Sequence, residues 1–261
     1  MEQTALLIVS FGTSVEETRK RTICALEEEL HRAFPHLPAH RAYTSPTIRR
    51  ILMKRGERVP SPREAMEELA AQGVRRLYIQ PTHLICGEEY HGLARLVAEK
   101  GNGFESAALG RPLLYDMEDC RCTAEALLEA FPPKEGEALV FMGHGTEHPA
   151  NAVYPAMGYI FQLLGRKDVF VGTVEGWPQG EDVLEQVQKA GFRRVLLAPM
   201  MLVAGDHARN DMAGEEDSWK TLFEQAGISV RCALQGMGEI PAIRQIYIEH
   251  CRKLLETEEQ A

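Results

Sequence analysis

The sequence predicts an α/β protein of two similar halves, each a parallel sheet flanked by helices, with a cleft between them. Three observations lead to this class. The 261-residue chain repeats one pattern of residues in its two halves. Strand-like and helix-like segments alternate along both copies, which is typical of parallel sheets covered by helices. The strand-like segments are continuous apolar runs, as expected for strands that are buried on both faces.

The repeat is clearest in two pairs of segments. Residues 5–13 align with residues 138–146, and residues 74–89 align with residues 192–207. Both copies of the longer segment contain an arginine pair, an apolar run, a proline, a second apolar run, a glycine and an acidic residue. Two copies of about 130 residues each match the usual size of a domain.

The two copies differ at positions where a metal ligand would lie. The aligned pairs are Phe11 with His144, Ser45 with Glu175, and Glu89 with His207. In each pair, the member of the candidate metal set belongs to the second half. This asymmetry predicts one metal site in the second half, with the first half serving as the opposite wall of the cleft.

The elements of the first half follow in order from local signals. An apolar run predicts a strand at 6–9, and a capping box at 14–17 predicts a helix that continues to about Ala33. Ser-Pro pairs at 45–46 and 61–62 predict two more helices, because proline fits the first helical position. Apolar periodicity and turn residues predict the rest: strands 41–44, 77–80 and 104–109, and helices 88–100 and 118–130.

The second half repeats this order after a linker. Residues 131–137 are polar and rich in proline, and they fall at the midpoint of the chain. The predicted domains are therefore residues 1–131 and 132–261. Within the second, the pattern predicts strands 139–142, 169–174, 195–198 and 228–232, and helices 153–164, 182–189, 210–225 and 242–255. In such folds, ligands bind beyond the carboxyl ends of the strands.

Composition excludes several classes of protein. The net charge of −9 and the lack of a basic stripe argue against nucleic acid as a partner. No apolar stretch approaches the roughly 20 residues that span a membrane. The N-terminus lacks the basic region of a secretory signal, so a cytoplasmic location is expected. The six cysteines do not form a disulfide framework, and Cys120 and Cys122 are two apart on a predicted helix, where they would not share a face.

Three residues of the second half come after predicted strands. His144 and Glu175 follow their strands directly, and His207 follows a strand and a short apolar segment. Each residue alone has a structural alternative, a helix cap or a solvated turn, but three at equivalent strand ends favour a site. Two imidazoles and one carboxylate suit a divalent metal such as Co, Ni, Fe or Zn. A set of three ligands leaves coordination positions open for chemistry.

Other residues at the same level are candidates for holding a ligand in the cleft. In the first half they are Ser10, Gly87, Glu88 and Glu89, although acidic residues at a helix start also favour the helix dipole. His148 is a candidate outer residue of the metal set, with helix capping as the alternative. In the second half the cleft candidates are Leu202, Val203, Ala204, Gly205 and Asp206.

The chain resembles the anaerobic sirohydrochlorin cobaltochelatases, which are relatives of ferrochelatase. The resemblance covers essentially the whole chain, and its most specific stretch is PMMLVAGDHARNDM at residues 199–212. It is also carried by residues 9–14, 87–90, 140–145 and 174–175. The resemblance implies that His144, Glu175 and His207 bind the metal. It further implies catalytic roles for His144, which would receive pyrrole protons, and for Glu175.

The resemblance implies insertion of Co²⁺ into sirohydrochlorin or precorrin-2, giving cobalt-sirohydrochlorin in anaerobic cobalamin biosynthesis. No Walker motif is present, so ATP is not expected to take part. The first half would hold the tetrapyrrole, and Arg49, Arg50, Arg55 and Arg209 are candidates for binding its carboxylates. Gly176-Trp177 departs from the family pattern, in which a small polar residue and a smaller aromatic residue are expected.

Three alternatives remain open from the sequence. The first is insertion of Fe²⁺ or Ni²⁺ by the same fold. The ligand types do not exclude either ion, because metal selection depends partly on availability. A non-enzymatic metal or haem carrier of two α/β halves would use the same three residues. The oligomeric state is also open, and a homo-oligomer is one alternative.

Overall fold

The computed structural model describes residues 4–259, which form two compact units with one four-stranded parallel sheet each. This confirms the predicted class of two similar halves, each a parallel sheet with helices. The strands of the first sheet are β1 (Thr4–Ser10), β2 (Ala39–Tyr43), β3 (Arg76–Pro81) and β4 (Ser106–Leu109). Those of the second sheet are β5 (Ala138–Gly143), β6 (Val169–Thr173), β7 (Arg194–Met200) and β8 (Ser229–Cys232).

The two sheets have the same topology. Their strand orders are β2-β1-β3-β4 and β6-β5-β7-β8, and all neighbouring strands are parallel. In the second sheet, Gly143 at the end of β5 pairs with Thr173 of β6 and with Met200 of β7. The carboxyl ends of three adjacent strands therefore lie at one level on one edge.

Helices connect the strands. Those of the first half are α1 (Glu16–Arg19), α2 (Ala25–Ala33), α3 (Pro46–Lys54), α4 (Pro62–Ala71) and α5 (Glu88–Lys100). They are followed by α6 (Met117–Ala130), α7 (Val153–Leu163), α8 (Gly180–Lys189), α9 (Trp219–Gln225) and α10 (Pro241–Glu259). The Ser-Pro starts are confirmed: the Ser45 hydroxyl accepts from the Ile48 N–H (3.3 Å), and Ser61 forms a capping box with Glu64. Among residues 4–259, no helix is long and apolar enough to cross a membrane.

Each unit has its own apolar core, built from the strands and one row of each helix. In the first, Leu7 and Ile79 of the sheet are fully buried against Leu69 of α4 and Leu93 of α5. Burying a side chain of this kind contributes about 1.5–3 kcal/mol. The central strands are therefore the most firmly held part of each unit, and their ends are fixed positions on which a site can be built.

Backbone hydrogen bonds show that the aligned positions are structurally equivalent. The Ser45 N–H donates to the Phe11 carbonyl (3.2 Å), and the Glu175 N–H donates to the His144 carbonyl (2.7 Å). Both bonds extend the strand pairing by one step beyond the sheet. The sequence pairs Phe11 with His144 and Ser45 with Glu175 therefore occupy matching places in the two units.

The third pair matches as well. In the helical turn that contains Glu89, the His91 N–H donates to the Gly87 carbonyl (3.0 Å). In the turn that contains His207, the Arg209 N–H donates to the Gly205 carbonyl (3.1 Å). Each residue lies in the first turn after an equivalent strand. The repeat is thus one of backbone geometry, and the differences at the three pairs are differences of side chain.

The two observed units differ from the predicted halves by one helix each. The first unit runs to Tyr115 and resumes at Pro241, and the second covers Asp116–Ile240. The division thus differs from the one predicted at residues 131 and 132. Helix α6 belongs with the second sheet, and α10 with the first.

Buried contacts explain both differences. On α10, the fully buried Tyr247 donates its hydroxyl to the Thr82 carbonyl just after β3 (2.8 Å). At the predicted linker, Phe131 is buried and packs edge-on against Phe141 of β5, with ring centroids 5.8 Å apart. A segment anchored in this way is part of the second unit.

The predicted capping box at the first helix is wrong. Helix α1 begins at Glu16, and its N-cap residue Val15 has no side-chain cap. The Thr13 hydroxyl accepts from the Val15 N–H instead (3.2 Å). The hydroxyl one residue earlier than predicted therefore satisfies the turn that leads into the helix.

The predicted helix at 210–225 is also wrong, because the chain forms two short helical pieces there. A π-helical turn (Ala208–Met212) comes first, and α9 begins at Trp219 after Ser218, whose hydroxyl accepts from the Thr221 N–H (3.2 Å). Between them, a Cβ on Gly214 would lie 2.4 Å from the Asn210 carbonyl oxygen. The chain turns tightly at this glycine, and a new cap starts the next helix.

His83, just after β3, is a buried histidine of the first unit. It is 9% exposed, and neither ring nitrogen has a hydrogen-bond partner among the described residues. Burial disfavours the charged imidazolium and lowers the pKa of His83 to about 4. The aligned residue of the second half is Met201, which is also buried.

Because of His83, acid should destabilise the first unit before its carboxylates are protonated. The unfolded chain, with a histidine pKa of 6.5, takes up a proton between pH 6.5 and 4 that the folded chain does not accept. Stability therefore falls as the pH decreases through this window, and going from pH 7.5 to 4.5 should cost about 2.5 kcal/mol through this group. Urea unfolding at both pH values measures the loss.

The substitution His83→Met, which copies the second half, should remove about that much of the acid-induced loss. His36→Met changes an exposed histidine and is the matched control. An equal acid-induced loss in wild type and His83→Met would contradict the prediction.

Candidate metal centre

Three candidate ligands lie together at the carboxyl edge of the second sheet. His144, Glu175 and His207 follow the adjacent strands β5, β6 and β7. One ligand atom from each side chain lies within 4.8 Å of the others, and no other group of this kind occurs in the part of the chain that the structure describes. The structure thus brings together the three residues that the sequence singled out.

The spacing of these side chains is close to that of a metal-bound set. The His144 and His207 ring centroids are 4.6 Å apart with the rings at 85°, and one candidate ligand atom of each of the three side chains lies within 4.8 Å of the others. An ion about 2.1 Å from each ligand separates tetrahedral ligand atoms by about 3.4 Å. Side-chain rotations that close the set by about 1 Å would therefore complete the coordination.

The three side chains are accessible from solvent. The exposed fractions are 46% for His144, 57% for Glu175 and 38% for His207. Structural zinc sites are closed by four protein ligands, whereas catalytic sites keep a position open. The exposure of this set matches the second kind, because a large partner molecule can reach an ion held there.

Two glycines fix the turn that carries His144. Gly145 has φ of +81°, and a Cβ on it would lie 2.5 Å from the backbone nitrogen of Gly176. A Cβ on Gly143 would lie 2.3 Å from the ring of Tyr154. Any side chain at either position would push the turn away from its neighbours. The flanking glycines therefore allow the His144 backbone to pack closely against the turn after β6.

Hydrogen bonds at Nδ1 select the tautomer of both histidines. Nδ1 of His144 lies 2.9 Å from the Gly145 carbonyl oxygen, and Nδ1 of His207 lies 2.7 Å from Oδ2 of Asp211. A carbonyl and a carboxylate only accept, so Nδ1 carries the hydrogen in each ring. Nε2 then keeps its lone pair, as a metal ligand or a proton acceptor requires.

Asp211 and Asn151 also contribute hydrogen bonds beside the three candidate ligands, although neither was predicted from the sequence. Asp211 is four residues after His207 in a helical turn, a spacing that places two side chains on one face, so it could have been found. Asn151 has no comparable signal. Its carboxamide bonds to the backbone after β5 and after β6, which only the folded chain brings together.

The departure at Gly176 has a steric explanation. A Cβ at this position would lie 2.2 Å from Oδ1 of Asn151, so the small polar residue expected from the family pattern does not fit beside this asparagine. The next residue, Trp177, is 62% exposed. The turn after β6 therefore combines a tightly packed backbone with an aromatic surface open to solvent.

The predicted cleft residues of the second half divide by burial. Leu202 and Ala204 are buried, and Ala204 packs in the core of the second unit. Val203 and Gly205 are half-buried, and Asp206 is exposed in the turn that begins the helical segment of His207. Only the last three present surface to a ligand, while the first two hold the segment in place.

The predicted residues of the first half divide in the same way. Ser10 is fully buried, and its Oγ accepts from the Thr82 hydroxyl (2.8 Å), so the structure does not support a direct contact between its side chain and a ligand. Gly87 is buried, whereas Glu88 and Glu89 are exposed in the first turn of α5. The exposed acids thus satisfy the helix dipole and remain accessible.

The candidate arginines are near the surface and have local partners. Arg49 pairs with Glu64 (3.1 Å), and Arg50 and Arg55 donate to backbone carbonyls. Arg209 is exposed in the turn after His207. A carboxylate of a ligand would have to compete with these partners at the three arginines of the first unit.

The remaining candidates have structural roles. Nδ1 of His148 accepts from the Ala150 N–H (3.1 Å), which is the capping alternative.

Burial raises the pKa of the Cys120 thiol to about 11 and also raises that of Cys122. Both thiols are therefore protonated at neutral pH and are poor metal ligands.

The geometry defines what the centre could do. Two neutral imidazoles and a carboxylate suit a borderline divalent ion, and they hold it less firmly than a thiolate cage. The open side of the set would let a second molecule coordinate the ion. Such a site is suited to receiving an ion and passing it on.

Solved structures share this fold at low sequence identity. SirB from Bacillus subtilis, determined with Fe3+, superposes with a TM-score of 0.67 at 15% identity, covering 100% of this chain and 98% of that one. The structure described as CbiX, the terminal enzyme for biosynthesis of siroheme in denitrifying bacteria, has a TM-score of 0.55 at 17% identity, covering 95% and 98%. These similarities establish a chelatase-like fold.

Curated relatives are more similar in sequence. A sirohydrochlorin cobaltochelatase of Salmonella typhimurium is 40% identical over 254 residues, covering 96% of both chains. The sirohydrochlorin cobaltochelatase CbiKC of Nitratidesulfovibrio vulgaris is 33% identical over 257 residues, covering 96% of this chain and 90% of its own. Residues 4–256 match the family described as cobalt chelatase (CbiK), and the chain belongs to this family.

Proposed function

We propose that this cobalt chelatase inserts Co²⁺ into sirohydrochlorin, giving cobalt-sirohydrochlorin for anaerobic cobalamin biosynthesis. The observation that carries the proposal is the gathering of His144, Glu175 and His207 at one sheet edge in a chain of this family. The two curated relatives named above act on sirohydrochlorin by name. Precorrin-2 differs little from it and is the alternative substrate. The sequence has no phosphate-binding loop, so the proposed reaction uses no ATP.

The three ligands would hold the ion before it enters the ring. With Nδ1 of both histidines engaged, the two Nε2 atoms and a Glu175 oxygen bind Co²⁺ on one side. The tetrapyrrole nitrogens approach from the open side and replace these ligands one at a time. Positioning of the two reactants supplies the rate acceleration, because a bimolecular encounter becomes a transfer within one complex.

Insertion releases two pyrrole protons for each Co²⁺ that is bound. Once the ion has moved to the ring, Nε2 of His144 is free and accepts one proton. The Glu175 carboxylate, 57% exposed, accepts the other and returns it to solvent. The same two residues thus bind the ion first and take up protons afterwards, so the site returns to its starting state once both protons reach water.

Apolar surface beside the ligands would orient the flat ring. Trp177 lies two residues after Glu175 with 62% of its surface exposed, and Val203 lies four residues before His207. An exposed indole offers a planar face against which a macrocycle packs. The exposed Asp206 and the partly exposed Gly205 complete the rim of the second unit.

His144→Ala should lower the rate of Co²⁺ insertion by at least ~100-fold, because it removes a ligand and a proton acceptor. The measurement is the change in the visible spectrum of sirohydrochlorin after Co²⁺ is added, compared with a blank without protein. His36→Ala, which removes an exposed histidine of the first unit, should match wild type. Equal rates in wild type and blank would refute the chelatase proposal and favour a metal or haem carrier.

The same assay ranks the metals. Under anaerobic conditions, Co²⁺, Fe²⁺ and Ni²⁺ should all be inserted, because the ligand set excludes none of them. Co²⁺ should give the highest kcat/KM if the family description holds for this chain. A preference for Fe²⁺ or Ni²⁺ of tenfold or more would assign the chain to sirohaem or nickel-cofactor synthesis instead.

Asp211→Asn should weaken Co²⁺ binding about 10-fold, and Asp211→Ala up to about 100-fold, because this carboxylate fixes the tautomer and orientation of His207. Isothermal titration with Co²⁺ alone measures the effect. Asp206→Asn removes a charge beside His207 with no hydrogen bond to its ring and should stay within about threefold of wild type. Equal losses in the two Asn variants would show that charge near the site, and not ring orientation, matters.

A further inference from the structure

The carboxamide of Asn151 joins the two turns that carry His144 and Glu175. Asn151 lies in the 3₁₀ turn Pro149–Ala152, after β5 and before α7. Its Oδ1 accepts from the Thr146 N–H (3.1 Å), and its Nδ2 donates to the Trp177 carbonyl (2.6 Å). One side chain thus bonds to the backbone two residues after His144 and two residues after Glu175.

The packing around this carboxamide leaves little freedom. A Cβ on Gly176 would lie 2.2 Å from Oδ1 of Asn151, and a Cβ on Gly145 would lie 2.5 Å from the Gly176 nitrogen. The Glu175 N–H also donates to the His144 carbonyl (2.7 Å). Two glycines and the asparagine therefore form one close-packed layer, in which the turns cannot separate without breaking a hydrogen bond.

The hydrogen bond from Nδ1 of His144 goes to the carbonyl of the next residue, Gly145 (2.9 Å), so it holds the ring only relative to its own turn. The side chains of His144 and Glu175 are 46% and 57% exposed, so packing holds neither of them firmly. Their positions depend on the backbone of two turns that lie beyond the ends of the sheet. A tie between those turns determines how far apart the imidazole and the carboxylate lie before an ion arrives.

The first unit shows how the same turns are used without a metal. Ser45 takes the place of Glu175, and its hydroxyl caps its own helix by accepting from the Ile48 N–H (3.3 Å). The equivalent backbone bond there, from Ser45 to Phe11, is 3.2 Å long. In the second unit, where the Asn151 carboxamide links the two turns, the bond from Glu175 to His144 is shorter, at 2.7 Å.

We propose that Asn151 is a positioning residue, which preorganises His144 and Glu175 for Co²⁺ by tying together the turns that follow β5 and β6. This proposal rests on the proposed function only in taking these side chains as metal ligands. Removing a side chain that orients metal ligands from outside typically costs 10–100-fold in affinity. Asn151 is half-buried in a short turn outside the sheet, so removing its side chain should cost the fold little.

The test uses Co²⁺ alone, without tetrapyrrole, on the full chain. Isothermal titration gives the affinity, and the visible absorption of bound Co²⁺ reports its coordination. Asn151→Ala should bind Co²⁺ 10–100-fold more weakly with altered absorption bands, while the Tm of the metal-free protein stays within about 3 °C of wild type. Asn151→Asp keeps the acceptor for Thr146 but places an oxygen against the Trp177 carbonyl, so it should weaken binding as well. Asn102→Ala, in the first unit, is the matched control.

Two outcomes would overturn the proposal. One is wild-type affinity and spectrum in Asn151→Ala. The other is a loss of affinity that comes with a large drop in the Tm of the metal-free protein, which would make Asn151 a general structural residue. His207→Ala identifies the binding that belongs to this site. Failure of the proposed function looks different, because wild type would then bind Co²⁺ in the Asn151-dependent way and yet not insert it into sirohydrochlorin.

Discussion

The parallel pairing of β5 with both of its neighbours is the constraint on which the site depends. Because Gly143 is in register with Thr173 and Met200, three strands end at the same level. Residues that are about 30 apart in the sequence then emerge side by side. The grouping of the three candidate ligands is a consequence of this register, because a shift of one strand by a single residue would turn its side chains to the other face and separate them.

The sheets, and the grouping of the three candidate ligands at one sheet edge, could be predicted from the sequence because both leave local patterns. Apolar runs mark the strands, and the internal repeat supplies the equivalences that point to His144, Glu175 and His207. Features that depend on tertiary contact left no such pattern. The place of α10 in the first unit depends on Tyr247 reaching a carbonyl 165 residues away. Asn151 bonds to backbone groups of two separate turns. The hydroxyl partner of Ser10 is Thr82, which follows a different strand and is 72 residues away in the sequence.

Errors of helix prediction had a similar origin. The region after residue 209 has helical periodicity, but Gly214 packs against the Asn210 carbonyl, and the cap at Ser218 starts a separate helix. Periodicity reports which side chains face the core, and it does not report where the backbone must turn. His207 lies just before the π-helical turn Ala208–Met212, and its Nδ1 is paired with Asp211 in that turn.

The equivalence of Phe11, Ser45 and Glu89 to the three candidate ligands has a consequence for the number of sites. The chain offers the same backbone edge twice, yet a candidate set of metal donors occurs at one of them, the only such cluster within residues 4–259. A twofold internal pattern thus yields a single candidate metal site within the described residues. The equivalent edge of the first unit has the same backbone arrangement without these three side chains. It is therefore an internal control, with which the contribution of the three side chains can be separated from that of the fold.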